Sequence, residues 1–117
     1  MASEALRLRK ALFGATNELV AASLSDLGTV QGERGQIAEA EKLQREALAI
    51  RRRLFGDQHA EVATSLFRLG VVVEDTARYE AAEALYREAL AIQRKVFHNE
   101  HPDVVDSLLH LVYVVEN

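Results

Sequence analysis

His98 and His101 lie three residues apart with Glu100 and Asp103 beside them, the best spacing in this sequence for sharing a metal ion between imidazole nitrogen and carboxylate oxygen. His59 stands 42 residues before His101 and has no such histidine companion, so the pair reads as part of a recurring turn and no metal is assigned. Gly28, Gly32 and Gly35 imitate a phosphate-binding loop, but they fall across the expected end of a helix and the turn after it. Glu74 and Asp75 could form an acid/base couple, yet adjacent carboxylates at the end of a helix are read as a solvated terminus. The sequence holds no P-loop, dinucleotide fingerprint, zinc-protease helix or nucleophile elbow, and with no cysteine it offers no thiol chemistry. These residues carry no catalytic, cofactor-binding or metal site, and an enzyme is not expected.

Basic clusters at Arg7, Arg9 and Lys10 and at Arg51, Arg52 and Arg53 recur at one place in a repeating pattern, with no aromatic residues interleaved to stack on bases. The net charge of −4 also opposes a nucleic-acid partner, since phosphate binding needs a basic face. The longest apolar run, residues 108–115, is interrupted by His110 and falls short of the roughly 20 residues that span a bilayer, so neither a membrane nor secretion is expected. A chain of 117 residues, 49% of them hydrophobic, suits one soluble, cytoplasmic domain able to close a core without a disulfide.

The elements that position these residues are set by repetition. Shifting the sequence by 42 residues superposes Phe13, Phe55 and Phe97, then Leu24, Leu66 and Leu108, then Leu27, Leu69 and Leu111. Between residues 14–55 and 56–97, 19 of 42 positions are identical, far beyond chance. A unit of this size cannot bury its apolar face alone and must stack on its neighbours. Within a unit, apolar residues recur at steps of three and four from Val62 to Val73 and again from Tyr79 to Ile92, which predicts two helices, the first stopping near Asp75 or Thr76 and the second near Phe97. The run of Val71, Val72 and Val73 favours a strand by composition, but its equivalents Thr29, Val30 and Gln31 do not. Acidic residues near helix starts (Asp57, Glu61, Asp103) and basic ones near helix ends (Arg51 to Arg53, Arg94, Lys95) match the helix dipole.

This helix pair resembles the tetratricopeptide repeat of the long, 42-residue kind found in kinesin light chains. The Leu-Gly pairs Leu27-Gly28 and Leu69-Gly70, with Ala40, Ala47, Ala82 and Ala89 on the following helices, match the motif's small residues at close helix crossings. The resemblance implies an all-α fold, a right-handed α-α superhelix of about six antiparallel helices. It also implies a protein–protein interaction module that holds a peptide or partner helix in a concave groove. The chain departs from kinesin light chains where those place two adjacent Asn on the first helix: here stand Ser25-Asp26, Phe67-Arg68 and Leu109-His110.

The expected organisation is a single repeat domain over 1–117, with residues 1–13 as an orphan second helix, repeats at 14–55 and 56–97, and 98–117 as the first helix of a third. On that register Ser25, Thr29, Thr64, Phe67, Val71, Asp106, Leu109 and Tyr113 are expected on the groove, with Phe67, Leu109 and Tyr113 as apolar anchors. The pattern starts and stops in mid-repeat, so the chain reads as part of a longer array or as a protein that completes itself. The alternative function is therefore a self-assembling structural or sensor element, a homo-oligomer joined head to tail through Leu6 and Leu12 at one end and Leu108, Leu111, Val112 and Val115 at the other.

Overall fold

The computed structural model describes residues 17–98 and 100–117. These form five α-helices and no strand: α1 (Glu18–Glu33), α2 (Ile37–Phe55), α3 (Ala60–Asp75), α4 (Tyr79–Val96) and α5 (Pro102–Glu116). The sixth expected helix, at residues 3–13, lies outside the described residues. Helices α1, α3 and α5 start 42 residues apart, as do α2 and α4, so the sequence period is the structural period. The Val71–Val73 segment is helical, because burial of Val72 and Val73 against the helix stack outweighs a local preference for extended backbone.

The first helix of each unit, α1, α3 and α5, starts on one recurring device. Asn17 accepts a hydrogen bond from the Leu19 N–H through Oδ1 at 2.7 Å, satisfying an otherwise orphaned donor of the first turn. His59 and His101 stand at the equivalent positions and accept from the N–H groups of Glu61 and Asp103 through Nδ1, at 3.0 and 3.1 Å. Each imidazole is held flat by the phenylalanine four residues earlier: Phe55 and His59 stack with centroids 4.3 Å apart, Phe97 and His101 3.8 Å apart. The turn between α1 and α2 carries Gly35 at φ 82°, where glycine costs nothing. The equivalent turn after α3 places Ala77 at φ 61°, a left-handed conformation imposed on a residue that disfavours it.

Each helix packs against the next, and α1 also touches α3, so the first helices of successive units lie side by side in one layer. Val20, Ala21, Leu24, Leu43, Ala47 and Ile50 close the core between α1 and α2. A larger cluster runs from Leu48 through α3 and α4 to Val104, Leu111 and Val114 of α5. The helix axes approach closely at the glycines. A Cβ on Gly70 would lie 2.6 Å from the Tyr86 ring, and one on Gly28 2.9 Å from the Gln44 amide. Arg51, only 4% exposed, ties three helices together: it donates to Glu18 of α1 (3.1 Å) and Ser65 of α3 (2.9 Å) from its place on α2. In the next unit Gln93 accepts from Ser107 at 2.7 Å, a neutral version of the same contact.

Candidate functional site

Two clefts open on the layer of first helices. A cleft of about 350 Å³ lies between α1 and α3, floored by Gly28, Gly32, Val71 and Val72 and edged by Glu33, Asp75 and Arg68. A second, of about 200 Å³, lies between α3 and α5 beside Thr64, Phe67, Asp103 and Asp106. Arg68 belongs to both, and its guanidinium donates to Ser25 Oγ at 2.8 Å and reaches Asp26 Oδ1 at 3.5 Å, bracing α3 on α1.

The floor beneath these clefts is built differently in the two units. Gln44 lies over Gly28, where its amide donates to the Ser25 carbonyl at 3.0 Å and accepts from the Ser25 hydroxyl at 2.9 Å. Tyr86 takes the equivalent place over Gly70, and being longer it reaches past the glycine to donate its hydroxyl to Glu74 Oε1 at 2.8 Å. His110 Nδ1 sits 3.1 Å from the same carboxylate oxygen. The flanking residues change in step: polar Ser25 and Thr29 surround Gln44, whereas Phe67 and Val71 stand at the same register around Tyr86, with the Phe67 ring 5.6 Å from that of Tyr86 and 5.0 Å from that of His110. Burial, then the Glu74 carboxylate, raise the Tyr86 hydroxyl above its ordinary range, so the phenol is a fixed donor. Burial and the neighbouring Glu74 charge likewise raise the Asp75 carboxyl. On the outer layer Glu41 is lowered, chiefly by its hydrogen bond from Arg78.

Thr29 and Val71 border the first cleft, and Thr64, Phe67 and Asp106 the second. Leu109 and Tyr113 are 62% and 50% exposed on α5, in register with Phe67 and Val71. Ser25 is the exception. It is fully buried, because both its hydroxyl and its carbonyl are taken by the Gln44 amide, and it braces Arg68 from beneath the surface it was expected to form. Sequence patterning had no means of finding Arg68, Gln44 or Glu74, since each acts through a contact with another helix.

Of the residues expected at the unfinished ends, Leu6 and Leu12 lie outside the described residues. Leu108, Val112 and Val115 are exposed along a shallow groove of about 380 Å³ between α4 and α5. Leu111 borders the same groove but is largely buried in the core, because α5 turns Val104, Ser107, Leu111 and Val114 inward as one stripe at helical spacing. His98 is exposed and His101 is engaged as a cap, and among the described residues no three His, Asp or Glu side chains surround a common point. No helix among them is long and apolar enough to cross a membrane.

A family model described as a tetratricopeptide repeat matches residues 1–53 and 32–95. The fold is similar to the crystal structure of BtubC (BKLC) from P. vanneervenii, with a TM-score of 0.90 at 24% identity over 98% of this chain and 46% of that one. It is also similar to nearly identical TPR-like repeats of a kinesin light chain candidate from Podosopora anserina, with a TM-score of 0.90 at 21% identity over 98% of this chain and 55% of that one. The chain thus spans about half the length of the structures it matches. At these identities the likeness establishes the fold, an all-α superhelix. No protein of curated function matches the sequence.

Proposed function

The chain belongs to the tetratricopeptide repeat family, and from that premise we propose that it is a protein-interaction module that holds a peptide or partner helix across the first helices α1, α3 and α5. The repeat boundaries that go with this reading are 14–55 and 56–97, with residues 98–117 as the first helix of a third unit; residues 1–13 lie outside the described residues. One observation carries the proposal: the two clefts meet at Arg68, and the apolar side chains beside them and in register on α5, Phe67, Val71, Leu109 and Tyr113, are partly or largely open to solvent. Apolar side chains gathered at a concave, polar-edged surface are the usual anchors of a protein contact. Catalysis has no part in this reading.

The test is selection of ligands from a displayed random-peptide library, followed by titration of the winners. Phe67→Ala with Tyr113→Ala should weaken binding by about 30-fold or more, the weight of interface anchors. Ligands whose affinity ignores both substitutions would place the interaction elsewhere.

A second reading is favoured by the exposed strip of Leu108, Val112 and Val115: copies of the chain associate through it. Burying the exposed halves of three such side chains contributes about 2 to 5 kcal/mol, and association costs about 4 to 15 kcal/mol, so the contact is weak at best. Sedimentation across a concentration series separates the readings, because Val112→Glu would abolish any self-association and leave peptide binding intact.

A further inference from the structure

We infer that the segment captured on the first-helix face is rich in Lys and Arg: a stretch of a partner protein with net positive charge and at least one apolar side chain. This rests on the interaction-module reading and names its partner class.

Charge is sorted between the two layers. Helices α1, α3 and α5 carry nine Asp or Glu against one Arg, whereas α2 and α4 carry six against eight Lys or Arg. The whole-chain charge of −4 conceals this separation. Two of the nine, Glu18 and Glu61, are drawn away by Arg51 on their far side. The single cation of the first-helix layer, Arg68, is already engaged by Ser25 and Asp26. That leaves Glu33 and Asp75 at the first cleft and Asp106 at the second with no Lys or Arg of the described residues within ion-pair distance.

The three carboxylates stand exposed at the cleft edges beside apolar side chains, and their like charges add to a negative field over that face. The raised Asp75 carboxyl fits that picture: exposed but partly desolvated at the cleft edge, and beside the Glu74 charge, it has no Lys or Arg counter-charge, which an incoming cation would supply. The long methylene stems of Lys and Arg match such a surface, lying on apolar ground while the head reaches a carboxylate. An acidic segment or a nucleic acid would meet like charge at Glu33, Asp75 and Asp106, with only the already engaged Arg68 to offset it, and like-charge contacts across an interface are strongly selected against.

The experiment uses three fluorescent pools of peptides about 12 residues long, equal in apolar content and with net charge of about +4, 0 and −4, titrated by anisotropy against the whole chain. A single-stranded oligonucleotide serves as a fourth probe. The basic pool should bind about 10-fold tighter than the neutral one or better, and lose affinity as salt rises from about 50 to 300 mM. Glu33→Gln with Asp75→Asn should weaken that binding about 2- to 30-fold, the range for two rim ion pairs. Glu39→Gln with Glu80→Gln, exposed on the second helices, should leave it unchanged. Circular dichroism of each variant confirms the fold. Tightest binding by the neutral or acidic pool or the oligonucleotide, still lost on Phe67→Ala, would overturn the charge preference and leave the groove reading standing. Binding by no probe, or binding indifferent to both Phe67→Ala and the carboxylate changes, would overturn both.

Discussion

Gly70→Ala adds one methyl group at a close helix crossing, and its effect can be worked out from the distances. The new Cβ would meet Tyr86 at 2.6 Å from Cε1, 3.0 Å from Cδ1 and 3.1 Å from Cζ, whereas carbon contacts are favourable near 3.5 to 4.0 Å. The ring has nowhere to go. Tyr86 is fully buried, packed on Phe67 and His110, and pinned at its far end by the hydrogen bond to Glu74. Forced overpacking of this kind costs about 1 to 3 kcal/mol, while exchanging glycine for alanine inside a helix returns about 1 kcal/mol. Gly70→Ala should therefore destabilise the chain by up to about 2 kcal/mol in urea unfolding followed by circular dichroism. In a Tyr86→Leu background the ring atoms are gone, and the same substitution should become neutral or stabilising by up to about 1 kcal/mol. Gly32→Ala is the control, since its Cβ meets only Ala40 at an ordinary 3.7 Å, and it should stabilise slightly. Equal effects of Gly70→Ala in both backgrounds would refute the assignment of this glycine to the ring.

The remaining predictions concern caps, the buried arginine and alkaline pH. His59→Ala should cost about 1 kcal/mol by loss of the α3 cap, and His59→Asn should recover most of it, as Asn17 caps α1; chemical denaturation midpoints check both. Arg51→Ala should cost about 2 to 4 kcal/mol by stranding Ser65 and Glu18, while Arg51→Gln, copying the Gln93 contact with Ser107, should cost less than half as much; an equal loss would show that the charge itself is required. Because Tyr86 is raised in the folded chain, its contribution is fully present below pH 10 and is lost as pH rises above it, where the unfolded chain ionises first. The drop in stability between about pH 9 and 11 should therefore be smaller in Tyr86→Phe than in the parent chain, and an identical drop would contradict the raised phenol.

The helical layers were readable from the chain because both signals that specify them are local. Apolar spacing of three and four residues gives a helix face, and a 42-residue register repeats that face, so α3 and α4 end within a residue of where the pattern stops. The small residues Gly28, Gly70, Ala40, Ala47, Ala82 and Ala89 also marked the crossings, since their size is visible in the sequence. What filled those crossings was not: Gln44 and Tyr86 occupy one register position and satisfy themselves in different ways, one on the backbone of α1, the other on Glu74 and His110.

The same distinction governs the groove. Sequence by itself determined the helices, their period, their order and the face that holds Thr29, Thr64, Phe67, Val71 and Asp106, because periodicity fixes direction around a helix axis. Only the tertiary structure decided that Ser25 is buried, that Leu111 belongs to the core, that Arg51 spans three helices, that His59 and His101 are caps, and that Ala77 must turn left-handed where its counterpart is Gly35. Each of those outcomes depends on how far apart two helices come to rest, which is set by the size and hydrogen-bonding reach of side chains distant in sequence, and the chain's own pattern carries no measure of that distance.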